Sequence, residues 1–285
     1  MHPMSIAEVF RKGAYTSRIP AKALLGYRLL GLLGPSWKGR ITAYRSPVRV
    51  DIRVCQSCGF VGPEVAYTFE MLSGLYADYR SESYNAERAI YEPDYNEIKD
   101  YVGKSSEEIS SRMSNLDNII ASCIDVNDIN NVIDWGGGEG RFVPTAFQAK
   151  NVWVLDVSSE PLVSNSYHRI SQIPQGVRFE YAQICHVLEH VASPYEFVKN
   201  VIPHISDRGY IYIEVPQDRA EQDIQRLVDR DPGVQHHIHE HLNLFSMKSM
   251  EALAHVLGLR VMYLERKRFD LGWAAADIIS TLLKK

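Results

Sequence analysis

The stretch Val132-Ile-Asp-Trp-Gly-Gly-Gly-Glu-Gly140 constrains this chain more than any other part of it. A short apolar run reaches an acidic residue, Asp134, and then meets Gly136, Gly137, Gly138 and Gly140. Glycine adopts positive φ at little cost, and its missing side chain lets other atoms approach the backbone. A strand that runs into such a turn predicts a strand–turn–helix unit, with the helix directing its N-terminal N–H groups at whatever the turn holds. The spacing G-x-G-x-G departs from the dinucleotide fingerprint G-x-G-x-x-G. A carboxylate two positions before the first glycine would repel a pyrophosphate and favours a ligand that carries positive charge.

A second apolar run, NVWVLDV (151–157), places Asp156 at a strand end 22 positions after Asp134. In nucleoside-binding folds a carboxylate at this point accepts ribose hydroxyls. FEYAQICHVL and YIYIEVP read as further strands. Helical patterns follow Arg141 and fill SSEEISSRMSNLDNIIASCI, SPYEFVKNVIPHI and SMKSMEALAHVLGL. Strands alternating with helices predict an α/β fold with a parallel sheet covered on both faces.

The 285 residues suffice for one domain of ordinary size and a smaller appendage. The expected division is an N-terminal extension, 1–104, and a ligand-binding domain, 105–285. Residues 1 to about 45 read as helical with Gly and Pro breaks, 47–63 as a strand or hairpin, and the stretch that follows is rich in Tyr. A net charge of -4 gives no reason to expect nucleic acid as a partner. Ala21–Trp37 is apolar, but Lys22, Arg28 and Pro35 interrupt it. It falls short of the ~20 apolar residues of a transmembrane helix, which leaves a helix packed on the protein or lying on a membrane surface. No secretory signal is evident, and four scattered cysteines do not form a disulfide framework, so a cytoplasmic setting is expected.

VIDWGGGEGRF, VWVLDVS and ICHVLEHVASPYEFVKNV resemble the successive motifs of class I S-adenosylmethionine-dependent methyltransferases. YIYIEVP with HHIHEHLNLFSMKSMEALAHVLGL is similar to the sugar methyltransferases related to deoxysugar C-methyltransferases. The resemblance covers residues 130 to about 265. It implies a Rossmann-like, doubly wound, mostly parallel sheet with a small helical and hairpin extension. It also implies S-adenosyl-L-methionine as cofactor, held by Asp134, Gly136, Gly137, Gly138, Gly140, Asp156, Val157 and Cys185. The ammonium and sulfonium of that cofactor suit the charge of Asp134. The implied acceptor is a small molecule, a sugar or nucleotide sugar of polysaccharide biosynthesis. Only 33 positions separate Asp156 from Glu189, so the third strand and its helix are shortened relative to the family. VCQSCGFVGPEVAYTFEM resembles the second half of a small zinc-ribbon domain. The first cysteine pair of that domain has no counterpart here, and structural zinc takes four ligands, so no metal is expected.

Residues 236–241 read His-His-Ile-His-Glu-His. A structural cluster, a metal site using His236, His239 and Glu240, and acid–base catalysis are the readings open to them. The His-Glu-x-x-His spacing of one helical face is absent. By resemblance, Glu240 and His241 match a segment that lines the substrate pocket, with His241 as base, although Ile238 stands where a tyrosine commonly precedes it. His186, Glu189 and His190 follow the fourth strand, at the carboxyl edge where open α/β sheets bind ligands. His186 and His190 are therefore further catalytic candidates. Glu214 ends the fifth strand and reads as a buried, hydrogen-bonded carboxylate. Two rival readings are a methyltransferase of another small metabolite and a degenerate methyltransferase fold that binds without catalysis.

Overall fold

The structure, a computed structural model, describes residues 15–23, 48–55, 57–63, 81–82, 84–86, 97, 99–157, 160–217, 237–238 and 241–285. Its centre is a seven-stranded sheet. The strands are β4 (Asn131–Trp135), β5 (Asn151–Leu155), β6 (His168–Ile170), β7 (Phe179–Cys185), β8 (Ile205–Pro216), β10 (Arg260–Asp270) and β11 (Ala275–Lys284), in the order β10-β11-β8-β7-β4-β5-β6. The pairs from β6 to β8 are parallel, and β11 runs antiparallel to both β8 and β10. From β4 the chain moves outward to β5 and β6, then returns to the other side of β4 for β7. That reversal opens a crevice at the carboxyl ends of β4 and β7, the place where such sheets take ligands. This is the Rossmann-like fold expected from the sequence.

Alternation along the central strands separates the two cores. Val132, Tyr181 and Tyr212 face helix α1 (Ser106–Cys123), packing on Leu116, Ile119 and Ile120. Ile133, Ala182, Ile184 and Ile213 face α2 (Pro194–Val201) and α3 (Met247–Val256). All three helices start as their sequences predict. Ser105, Ser193 and Ser246 each accept a backbone N–H of the first turn through the side chain, which satisfies a donor that the helix leaves unpaired.

The helix expected after Gly140 does not form. Thr145–Phe147 makes a single 3-10 turn there. Only Arg141–Lys150 link the glycine turn to β5, and Pro144 in their midst cannot donate an i→i−4 bond. β6 is three residues long and is joined to β5 without a helix, in keeping with the shortening read from the sequence.

The expectation of helix across the first 45 residues is corrected at β1 (Tyr15–Ala23), which pairs antiparallel with β2 (Val48–Cys55). Pro20 disfavours helix here. β2 forms a hairpin with β3 (Val61–Pro63), and β1 also meets β9 (His237–Ile238) in parallel. Cys55, Cys58 and Phe60 of the hairpin join the α2–α3 core. Phe60 meets Phe245 at a ring separation of 5.4 Å, and Val61 and Leu244 exchange backbone hydrogen bonds of 3.1 and 2.8 Å. Both cysteines are free thiols.

Charge is buried on the α1 side. Arg112, 4% exposed, reaches Glu108 at 2.8 Å and Glu214 at 2.6 Å, and so ties α1 to β8. Tyr212 donates to Glu214 Oε2 at 2.9 Å. Removing one member of such a group strands the others in a poorly polarisable interior, at a cost of about 3–5 kcal/mol. Arg112→Ala should therefore lower the unfolding free energy by an amount in that range, measured by urea denaturation. A loss below about 1 kcal/mol, as for an exposed pair, would show that water reaches the carboxylates.

Candidate functional site

The glycine turn is a backbone structure held from several directions. Gly136, Gly138 and Gly140 have φ of 77°, 55° and 76°. A Cβ on Gly136 would lie 2.4 Å from Val187, and one on Gly137 would lie 2.1 Å from the Asp134 carboxyl carbon. These two positions are glycine because neighbouring side chains fill the space. Gly138 differs, since a Cβ there would meet no atom within 4 Å. The apex of the turn therefore presents bare backbone to the crevice. Asp156 Oδ2 accepts the Gly138 N–H at 2.7 Å, and Arg169 donates to Gly138 O at 2.6 Å. These two side chains brace the turn where a following helix was expected to. Arg169 carried no signal in the sequence, because it stands on β6, three residues long and without a glycine or motif beside it.

Asp134 is 1% exposed, and its Oδ1 has no hydrogen-bond partner. Burial pushes its pKa up to about 7, Gln183 and Arg112 oppose this, and the charge of Asp156 adds to it. A buried carboxyl group with one oxygen unpartnered, beside an open glycine apex, fits a ligand that brings positive charge, as S-adenosylmethionine does. Of the other residues expected to hold it, Cys185 is half-buried beside Glu214 and Val157 is 92% exposed.

The carboxyl ends of β7 and β8 carry the histidines. His186 has φ 53°, the one positive φ outside glycine among the described residues, and its N–H donates to Glu214 O at 2.9 Å. Its ring lies between two buried carboxylates, with Nδ1 3.2 Å from Glu189 Oε1 and Nε2 3.3 Å from Glu214 Oε1. Burial and Arg112 work against its charge, yet Glu189 and Glu214 raise its pKa. Burial likewise opposes the charge of Glu214, but Arg112, His186 and Tyr212 bring its pKa down to about 2. Glu214 is thus the buried, hydrogen-bonded carboxylate expected from the sequence, and His186 is a bridge between two acids.

His190 and His241 come together from positions 51 apart, with ring centroids 4.8 Å apart and planes at 72°. Four hydrogen bonds zip the two segments. Leu242 and Asn243 donate their N–H groups to Glu189 O at 2.7 and 3.1 Å. The Asn243 amide donates to Leu188 O at 2.9 Å and to Val191 O at 2.7 Å. Glu240, with His236 and His239, lies outside the described residues. Sequence reasoning passed over Arg112, although Glu108 and Arg112 stand at i,i+4 on the stripe that continues through Leu116 and Ile119.

Residues 96–264, more than half of the chain, match the family model of a methyltransferase domain. No curated protein matches the chain. Among solved structures it is similar to the 1,6-didemethyltoxoflavin-N1-methyltransferase of Burkholderia thailandensis, determined with 1,6-didemethyltoxoflavin and S-adenosylhomocysteine. That likeness has 14% identity over 79% of this chain and 95% of that one, with a TM-score of 0.49. The plantazolicin methyltransferase BpumL, in complex with a pentazolic desmethylPZN analog and S-adenosylhomocysteine, is 12% identical over 75% and 95%, with a TM-score of 0.45. An N-methyltransferase of Bradyrhizobium japonicum, in complex with S-adenosylhomocysteine, is 12% identical over 64% and 89%, with a TM-score of 0.42. Likenesses this remote say nothing of the acceptor.

The raised pKa of Asp134 makes a stability prediction. An unfolded Asp titrates near ~3.9, so between about pH 4 and 7 the folded chain holds a proton that the unfolded chain has released. Stability therefore falls as pH rises through that window. Asp134→Asn removes the titration. The variant should match wild type near pH 4 and exceed it above about pH 7, by on the order of a few kcal/mol. It should also bind S-adenosylhomocysteine at least tenfold more weakly. Thermal melts across pH with calorimetry check both; a variant less stable than wild type at about pH 8 would mean that the carboxylate makes structural hydrogen bonds instead.

Proposed function

We propose, on the premise that the chain belongs to the methyltransferase-domain family and is an S-adenosylmethionine-dependent methyltransferase, that it methylates a sugar hydroxyl or carbon, in a nucleotide sugar or glycan precursor. The observation that carries the acceptor reading is the meeting of His190 and His241 at the carboxyl edge. The sugar class is supported by the HEHLNLFS segment that brings His241 there. In this reading residues 105–285 hold both ligands and 1–104 form an extension whose CxxC hairpin resembles half a zinc ribbon. Among the described residues no helix is long and apolar enough to cross a membrane; the setting we propose is cytoplasmic.

The cofactor supplies an electrophilic methyl group on sulfonium. Asp134 would hold its ammonium end by charge, the bare backbone at Gly138 would admit close approach, and Asp156 would accept from the ribose while bracing the turn. As the acceptor bonds to the methyl carbon, the carbon–sulfur bond breaks and S-adenosylhomocysteine leaves; His241 would take the acceptor proton, which is worth roughly 10²–10⁴ in rate. His190, edge-on to it, limits its rotation. Glu189, buried below the pair, favours the positive charge that the transferred proton creates.

Asp156→Ala should weaken S-adenosylhomocysteine binding at least tenfold, since charge-assisted hydrogen bonds contribute ~1.5–3 kcal/mol each. An unchanged dissociation constant in calorimetry would leave Asp156 only as a brace of the turn. For the acceptor, a panel of nucleotide sugars is incubated with cofactor carrying a labelled methyl group and read by mass spectrometry. With the acceptor found, His241→Ala should lose most turnover and keep cofactor affinity. Full activity in that variant would remove the base assignment and move it to His190.

A further inference from the structure

Glu189 is fully buried, and the groups that offset its charge are histidines: the His186 ring beside it, with His190 and His241 next to that. A buried carboxylate needs positive charge beside it, which a bound cation also supplies. Glu189 Oε1 lies 3.8 Å from His190 Nε2 and 3.2 Å from His186 Nδ1. Glu189, His190 and His241 each offer one ligand atom, and all three atoms lie within 4.8 Å of one another. Ligands ~2.1 Å from a tetrahedral ion stand about 3.4 Å apart. The three side chains thus need to close by little more than 1 Å, about the reach of small side-chain rotations.

We propose that Glu189, His190 and His241 form a binding site for one divalent transition-metal ion of the zinc class. Two imidazoles and one carboxylate suit zinc, iron, cobalt or nickel, whereas magnesium and calcium prefer oxygen alone. Three protein ligands leave a coordination position open. The four hydrogen bonds between 188–191 and 242–243 hold the two histidine-bearing segments together before any ion arrives, which is the support a metal site requires. His190 and His241 are half-buried, so an ion can enter from solvent.

The binding claim stands on this geometry; its consequence rests on the role proposed for His241. A coordinated imidazole nitrogen has no lone pair left for a proton. Metal occupancy and proton removal by His241 exclude one another, so the loaded protein lacks His241 as a base.

The test is titration of the full-length, metal-stripped protein with Co²⁺, followed by optical absorption. The expected result is one equivalent bound, visible ligand-field bands, and no thiolate-to-cobalt band in the near ultraviolet. Zn²⁺ should displace the cobalt. Binding should be lost in Glu189→Gln and in His241→Ala, and kept in Cys55→Ser. No stoichiometric binding by wild type, binding that survives His241→Ala, or a thiolate band lost in Cys55→Ser would each overturn the proposal. Calorimetry with S-adenosylhomocysteine on the same metal-free samples separates the two readings. Cofactor binding without metal binding removes this site alone, and metal binding without cofactor binding removes the cofactor site alone.

Discussion

Arg112 carries a full charge with almost no water around it, and the carboxyl edge of the sheet is organised about that charge. Its partners Glu108 and Glu214 come from α1 and β8. Glu214 in turn faces His186, and His186 faces Glu189. Charge therefore alternates from the helix, through the strand ends, to the two histidines. Arg112 and His186 favour the charged form of Glu214, and Glu189 and Glu214 favour that of His186. The Arg112 side chain also lies over the Phe142 ring at 3.9 Å, just beyond the glycine turn. One cation thus anchors α1, fixes the end of β8 and borders the turn.

The same network explains why two acids a few residues apart in the fold behave oppositely. Glu214 is surrounded by a guanidinium, an imidazole and a phenol, and its pKa falls to about 2. Asp134 has no such set, and burial drives its pKa up to about 7. The interior compensates the charge of Glu214, whereas at Asp134 Gln183 and Arg112 do not outweigh burial. A ligand that brings positive charge gains affinity from the folding free energy that Asp134 withholds, so binding and stability at this residue are linked in sign.

Local chemistry made much of the fold legible. Ser105, Ser193 and Ser246 announce their helices, and the apolar runs announce the parallel strands, because caps and periodicity act within a few residues. The glycine turn and Asp156 were readable for the same reason. Arg141–Lys150 misled because a glycine turn ordinarily leads into a helix, whereas Pro144 and a ten-residue span leave room for one 3-10 turn. β1 misled because pairing with β2, across the 24 residues between them, outweighs local preference. Arg169 and the meeting of His190 with His241 depend on contacts of long sequence separation, which no local pattern encodes.

The two halves of the site consequently rest on different physics. The half proposed for the cofactor is mostly backbone: glycines at positive φ, braced by Asp156 and Arg169, at the end of β4, whose three central residues are buried. Its shape follows from the sheet and tolerates little change, since Val187 and the Asp134 carboxyl group fill the space a side chain would need at Gly136 and Gly137. The half proposed for the acceptor is made of side chains on connections. His241 stands where it does because Asn243 bonds two carbonyls of the neighbouring turn and because Leu244 and Phe245 are held by the CxxC hairpin. The hairpin, far from the histidines in sequence, is thereby part of the support for the residue proposed as base. A change in the hairpin would bear on the segment of His241 through Leu244 and Phe245, whereas the glycine turn is braced from β5 and β6 instead.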